Sequence, residues 1–266
     1  MITQFCSLVS GSSGNCHFLS NGEEHLLIDV GLSGKQIQNK LQEIGFQPNR
    51  LTGILVSHEH HDHICGVGVL SRRFNIPIYA NAPTWVAMEG KIGAIKANNI
   101  KVFDTEKTFT IGELEVFPYN ISHDAAEPVG YTFQSGSVKI SIATDLGYID
   151  KSTLDKLGDS HLVVLESNHD EAMLKAGSYP YHLKRRILSD IGHLSNEAAG
   201  NAVVELVKKN VKNILLAHLS KENNFPELAT MTVKNILENH KISIERDVSI
   251  ELALRNKTSP IYAFEG

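Results

Sequence analysis

Apolar and polar residues alternate in short runs near the start of the chain, which predicts strands over 4–9, 16–19 and 25–30. Ser10-Gly11-Ser12-Ser13-Gly14-Asn15 and Asn21-Gly22 separate them. Asn-Gly suits a tight hairpin because both residues tolerate positive φ. The period then lengthens: within 33–44 the apolar positions Ile37, Leu41 and Ile44 follow a helical spacing, and Gly45 stands where a C-cap belongs. A strand over 54–56, a helix over 66–74 and a strand over 76–80 come next. Further on the pattern predicts strands over 109–119, 130–134, 138–143, 162–165, 214–217, 248–254 and 260–264, with a turn at Gln134-Ser135-Gly136-Ser137. Helices are predicted over 152–157, 196–209 and 226–240, the second entered through Ser195 as N-cap. No Pro/Ser-rich linker, charge block or low-complexity stretch divides the chain. The expectation is one α+β domain over residues 1–266, two packed sheets with helices on the outer faces.

Composition narrows the class. With 266 residues, 42% hydrophobic and 21% charged, the chain can bury a sizeable core and matches an ordinary soluble protein. It shows no signal-peptide pattern and no apolar run approaching the ~20 residues of a membrane span. Three cysteines, Cys6, Cys16 and Cys65, do not make a disulfide framework, so a cytoplasmic protein with reduced thiols is expected. A net charge of -5 argues against general attraction to nucleic acid but leaves room for a local basic patch.

The chemistry concentrates in His58-Glu59-His60-His61-Asp62-His63, directly after the apolar run Gly53-Ile54-Leu55-Val56-Ser57. Imidazole and carboxylate are preferred ligands of zinc, manganese and iron. His58 and His60 can reach one ion from the same side of a short loop, while Asp62 and His63 can address a second. Three further candidates each follow an apolar run: His123, Asp145 and His218. A carboxylate can bridge two cations, which suits Asp145. Singly, each could be a loop residue, a core histidine or a helix cap.

Taken together, Asp29, the H-x-H-x-D-H run, His123, Asp145 and His218 resemble the metallo-β-lactamase superfamily. The resemblance implies a four-layer αββα sandwich with two divalent metal ions, Zn or Mn with Fe as a further candidate. It implies that His58, His60 and His123 hold one metal and that Asp62, His63 and His218 hold the other. Asp145 would bridge the metals, and Asp29 would orient the motif loop from behind. True β-lactamases of this fold differ at the Asp145 position and are exported, so that activity is set aside. A glyoxalase II-like thioesterase shares all seven ligands and stands as the alternative. A non-catalytic module keeping metal only for folding is disfavoured, since a structural site needs no bridging carboxylate.

Leu165-Glu166-Ser167-Asn168 and Gly192-His193-Leu194-Ser195-Asn196 are similar to motifs of the tRNase Z branch, although Leu165 replaces a His there. That similarity implies that Glu166 orients His193, and that His193 protonates the leaving oxygen of a phosphodiester attacked by a metal-bridging hydroxide. Catalysis is thus expected of His193, Glu166 and Asp62. The plainer alternative makes Glu166 a surface residue and Gly192-His193 a lead-in to a capped helix. The 22 positions from His123 to Asp145 cannot hold a tRNA-gripping arm, and the 73 from Asp145 to His218 leave no room for a β-CASP insertion. The Ser/Gly loop and the segment from Tyr179-Pro180 to Asn196 are similar to the YycJ/WalJ-type exonuclease branch. The activity implied is 5′-to-3′ cleavage of double-stranded DNA in the cytoplasm, with no membrane and no obligate protein partner. Ser12, Ser13, Asn15, Lys184, Arg185 and Arg186 are candidate contacts to substrate phosphate, although such loops are commonly plain turns and such charge runs commonly solvated faces. His61, His17, His25, His161, His169, His182 and His240 receive no role.

Overall fold

The computed structural model describes residues 2–266. In chain order the first elements are β1 (Ile2–Val9), β2 (Cys16–Ser20), β3 (His25–Ile28), α1 (Gly34–Glu43), β4 (Gly53–Leu55), α2 (His61–Ile64) and α3 (Val67–Phe74). Then come β5 (Ile78–Asn81), α4 (Ala82–Met88), β6 (Ile100–Phe103), β7 (Phe109–Ile111), β8 (Leu114–Asn120), β9 (Val129–Ser135) and β10 (Val138–Ala143). The rest are α5 (Lys151–Leu157), β11 (Leu162–Glu166), α6 (Glu171–Ala176), α7 (Tyr181–Ile187), α8 (Asn196–Lys208), β12 (Asn213–Ala217), α9 (Pro226–Asn239), β13 (Ser249–Leu252) and β14 (Tyr262–Glu265). Two compact units emerge. One comprises residues up to Asn120 with Ala125–Val138 and Arg255–Gly266; the other comprises Ile121–Asp124 and Lys139–Leu254.

In the first unit one sheet runs β14-β1-β2-β3-β4-β5-β6. Its β14, β1, β2 and β3 pair antiparallel, while β3 to β6 are parallel. Strands β7, β8 and β9 form an antiparallel meander. The stretch 109–119, expected as one strand, is a hairpin instead, because Gly112 adopts φ 55° and reverses the chain. Tyr131 of β9 donates a hydrogen bond to the Val56 carbonyl at 2.6 Å, and the Val129 amide donates to the Ser57 carbonyl at 3.1 Å. The residues entering the His-rich motif are therefore pinned by one side-chain hydroxyl and one backbone amide of β9.

Helix α1 begins with a capping box between Ser33 and Gln36 and buries Ile37 and Leu41 in the core. In the second unit β10, β11, β12 and β13 are all parallel, and β10 to β12 are apolar and buried nearly throughout, as strands covered on both faces must be. Helices α8 and α9 approach closely at Gly200, where a Cβ would stand 2.5 Å from Ile236 Cδ1. No helix among the described residues is long and apolar enough to cross a membrane.

The backbone just past β3 is packed with no spare volume. The Val30 amide donates to the His63 carbonyl at 2.7 Å, the Gly31 amide to the Asn15 carbonyl at 2.8 Å, and the Asn15 amide to the Asp62 carbonyl at 2.8 Å. A Cβ on Gly31 would lie 1.7 Å from the Asp62 carbonyl oxygen. Gly31→Ala should therefore cost ~1–3 kcal/mol of stability by overpacking and lower metal uptake as the motif loop shifts. Thermal unfolding and metal analysis check this; an unaltered melting temperature with full metal content would contradict it.

Candidate metal centre

In parallel sheets, functional groups collect beyond the carboxyl ends of the strands. Asp29 directly follows β3, Ser57 and His58 follow β4, Asp145 follows β10, Glu166 is the last residue of β11, and His218 directly follows β12. Three of these residues turn off their strands in the left-handed region: Asp29 at φ 60°, Asp145 at φ 61° and His218 at φ 55°. Asp and His are among the few non-glycine residues enriched there, and such strain clusters at functional sites. The expected strand over 25–30 thus stops at Ile28, and Asp29 sits in the turn.

Within the first unit, Asp29 organises the motif. Its carboxylate accepts from the Ser57 amide at 2.8 Å, the Ser57 hydroxyl at 2.8 Å and His63 Nδ1 at 2.8 Å. Donation from Nδ1 fixes the tautomer of His63 and makes Nε2 the coordinating nitrogen. His63 Nε2 and Asp62 Oδ2 are 3.6 Å apart. His58 Nε2 and His60 Nδ1 are 3.1 Å apart. Two imidazoles bound tetrahedrally to zinc have nitrogens separated by ~3.3 Å, from Zn–N bonds of about 2.0–2.1 Å, so this pair fits a shared ion.

Within the second unit, Glu166 plays the corresponding part. It is 0% exposed, so the surface alternative fails. Its carboxylate accepts from the Leu146 amide at 2.9 Å, the Leu194 amide at 3.2 Å, His193 Nδ1 at 2.9 Å and His218 Nδ1 at 2.7 Å. Burial alone would raise its pKa; the hydrogen bonds and proximity of His193 and His218 outweigh it and hold the carboxyl below the usual carboxylate range. Glu166 is therefore ionised, and it fixes the tautomers of two histidines at once. His218 Nδ1 also lies 3.2 Å from Asp145 Oδ1. One atom from each of Asp145, Glu166, His193 and His218 falls within 4.8 Å of the others. His123 Nδ1 donates to the Gly192 carbonyl at 3.1 Å, which leaves Nε2 to coordinate and ties this histidine to the loop carrying His193. Burial lowers the His123 pKa, keeping the ring in the neutral form a metal requires. Nitrogen and carboxylate donors with fixed tautomers fit zinc, manganese or iron.

The candidate phosphate contacts divide. Ser12 and Ser13 are exposed. Asn15 is buried: its Oδ1 accepts from the Gly11 amide at 2.9 Å, and its Nδ2 lies 3.1 Å from His63 Nε2 and 3.5 Å from Asp62 Oδ2. Its side chain faces His63 and Asp62 and ties the Ser/Gly loop to the motif. Lys184 donates to the Lys175 and Gly177 carbonyls at 2.8 and 2.6 Å, closing the end of α6. Arg186 is paired with Asp124. Arg185 stands over the Tyr181 ring, with Cζ 6.0 Å from its centroid. The charge run is therefore partly structural.

Sequence reasoning passed over His169. It is 1% exposed, and neither ring nitrogen has a hydrogen-bond partner. Its backbone lies beside the His193 loop, with the Asn168 amide donating to the Leu194 carbonyl at 2.8 Å and the Asn196 amide to the His169 carbonyl at 2.9 Å. Its only sequence signal is a place three residues past Glu166 at the end of a buried run. Burial lowers its pKa from 6.5 to about 4, so the folded ring stays neutral where the unfolded one is protonated. Between pH 6.5 and about 4 the unfolded state binds more protons, and stability must fall as pH falls, by on the order of 3 kcal/mol in all. His169→Leu should flatten this part of the stability curve; denaturant titrations across the window decide it, and an unchanged slope would contradict it.

The sequence profile of the metallo-β-lactamase superfamily matches residues 9–218. The chain is 44% identical over 234 residues to exodeoxyribonuclease YycJ of Bacillus anthracis, covering 88% of this chain and 89% of that one. It is 41% identical over 249 residues to exodeoxyribonuclease WalJ of Streptococcus pneumoniae D39, covering 93% of each. Among solved structures, the metallo-β-lactamase fold protein YhfI from Bacillus subtilis superposes with a TM-score of 0.75 at 16% identity, over 99% of this chain and 100% of the other.

Proposed function

Since the chain belongs to the metallo-β-lactamase superfamily and is a metallo-hydrolase of its nuclease kind, we propose that it is a 5′-to-3′ exonuclease acting on double-stranded DNA through a dinuclear metal centre. In this reading His58, His60 and His123 would hold one ion, Asp62, His63 and His218 the other, and Asp145 would serve both. This assignment is supported by the family to which the ligands conform and by the tautomers that Asp29 and Glu166 impose. When bound, divalent ions polarise a phosphoryl oxygen and lower the pKa of a coordinated water. The reduced thiols of Cys6, Cys16 and Cys65 suit the cytoplasm, where such a nuclease meets chromosomal DNA.

The observation that carries phosphodiester chemistry is the pair Glu166–His193. His193 Nδ1 is held at 2.9 Å by a buried carboxylate, while the side chain keeps 16% exposure. Glu166 stabilises the imidazolium, and His193 Nε2 delivers its proton to the departing alkoxide oxygen. An alkoxide leaving group needs that proton; a thiolate does not. Glu166 is the positioning residue: it also fixes the His218 tautomer, so loss of its carboxylate unsettles donor and ligand together.

His193→Ala should retain wild-type metal content and lose 10²–10⁴-fold in turnover of end-labelled duplex DNA, in line with removal of a general acid. Metal analysis and steady-state kinetics on duplex DNA, a bis-aryl phosphodiester and a glutathione thioester test the assignment. Thioester cleavage without phosphodiester cleavage by the wild type would sink the nuclease reading. Loss of metal in the variant would refute the role given to His193.

A further inference from the structure

We propose that Arg255, with Ser12 and Ser13, seats a non-scissile phosphate of the nucleic-acid substrate beside the metal centre; this rests on the nuclease reading above. Arg255 is remote in sequence from every motif, yet its guanidinium lies against the Ser/Gly loop. A Cβ on Gly11 would stand 3.2 Å from Arg255 Cζ and Nη1, so the bare backbone at Gly11 is what admits the guanidinium. Gly11 also adopts φ 151°, which a residue with a side chain rarely takes. Arg255 Nη1 donates to Ser13 Oγ at 3.1 Å, and the Gly14 amide closes the turn on the Gly11 carbonyl at 2.9 Å.

The other face of this loop joins the metal ligands. Asn15, two residues past Ser13, accepts from the Gly11 amide and places its Nδ2 3.1 Å from His63 Nε2. One short loop thus carries both Asn15, which faces His63, and Ser13, which accepts from Arg255. The segment bearing Arg255 is fastened as well. Lys40 donates to the Asn256 carbonyl at 3.1 Å, and the Ser259 amide donates to the Ser7 carbonyl at 2.8 Å. Exposed Lys257 adds a second positive charge to the same segment.

A guanidinium offers five donors in a rigid fork suited to phosphate oxygens, and the exposed hydroxyls of Ser12 and Ser13 extend that donor set. In a chain of net charge -5, an arginine held on the loop that also carries Asn15 is well suited to a polyanion. The competing account makes Arg255 a clamp that only holds the loop in shape.

Arg255→Gln and Arg255→Lys, each loaded with Mn²⁺, separate the two accounts. The first readout is kcat/KM on a 5′-phosphorylated duplex and on a bis-aryl phosphodiester, which has no neighbouring phosphate. The second is duplex affinity by fluorescence anisotropy of the same Mn²⁺-loaded proteins on a cleavage-resistant phosphorothioate duplex over a range of salt concentrations. Arg255→Gln should lose roughly tenfold more on the duplex than on the small diester. Its plot of log affinity against log salt should flatten by about one unit of slope. Arg255→Lys should restore the slope and part of the affinity. Equal losses on both substrates, or no loss of duplex affinity, would overturn the proposal. Because binding is read apart from turnover, a wild type that binds the duplex without cutting it would sink the nuclease reading and leave the Arg255 test standing. A wild type that does not bind duplex DNA overturns both.

Discussion

A carboxylate taken out of water must be given donors, and this requirement organises the candidate ligands of each unit. Removing one partner from a buried charge is expensive, so each carboxylate fixes what surrounds it. Asp29 draws in the amide and hydroxyl of Ser57 and the Nδ1 of His63, which sets the course of the motif loop and the tautomer of a ligand. Glu166 gathers the amides of Leu146 and Leu194 with the Nδ1 atoms of His193 and His218. The Leu146 amide follows Asp145, so one side chain fixes the neighbourhood of Asp145, His218 and His193.

The backbone adds a second constraint. Asp29, Asp145 and His218 each leave a parallel strand at positive φ, turning the chain sharply where the sheet ends. Rigid strands supply the platform, and the turn places a short side chain just beyond it. The conformation costs something at each position, and hydrogen bonds within the same unit compensate: Asp29 accepts from Ser57 and His63, and His218 donates to Glu166.

Much of this was legible in the sequence, for identifiable reasons. The cores of β4, β11 and β12 are continuous apolar runs, and the ligand candidates stand directly after them. The H-x-H-x-D-H run is improbable without a metal to justify it. Helices α4, α6 and α7 were not foreseen, because segments of six or seven residues are set by tertiary contacts and not by a periodic stripe. The edge strand β6 was also missed; its outer residues are exposed and carry no alternation to detect. Lys184 and Arg186 looked like a surface track because local charge says nothing of the Gly177 carbonyl or the Asp124 carboxylate that engage them. Asn15 reads in the sequence as a candidate phosphate contact, and its amide faces His63 in the fold. Arg255 could not be found at all, since its contact with Ser13 spans 242 positions.

The central proposal is a dinuclear metal centre whose donors are ordered by two buried carboxylates, Asp29 and Glu166. The most direct measurement is anomalous diffraction at the manganese edge from crystals of the Mn²⁺-loaded protein. The account predicts two anomalous peaks about 4 Å apart, the spacing typical of two-metal hydrolases. One peak should be contacted by His58, His60 and His123 and the other by Asp62, His63 and His218, with Asp145 touching both. A single peak, or a second one held by Glu166, would contradict it.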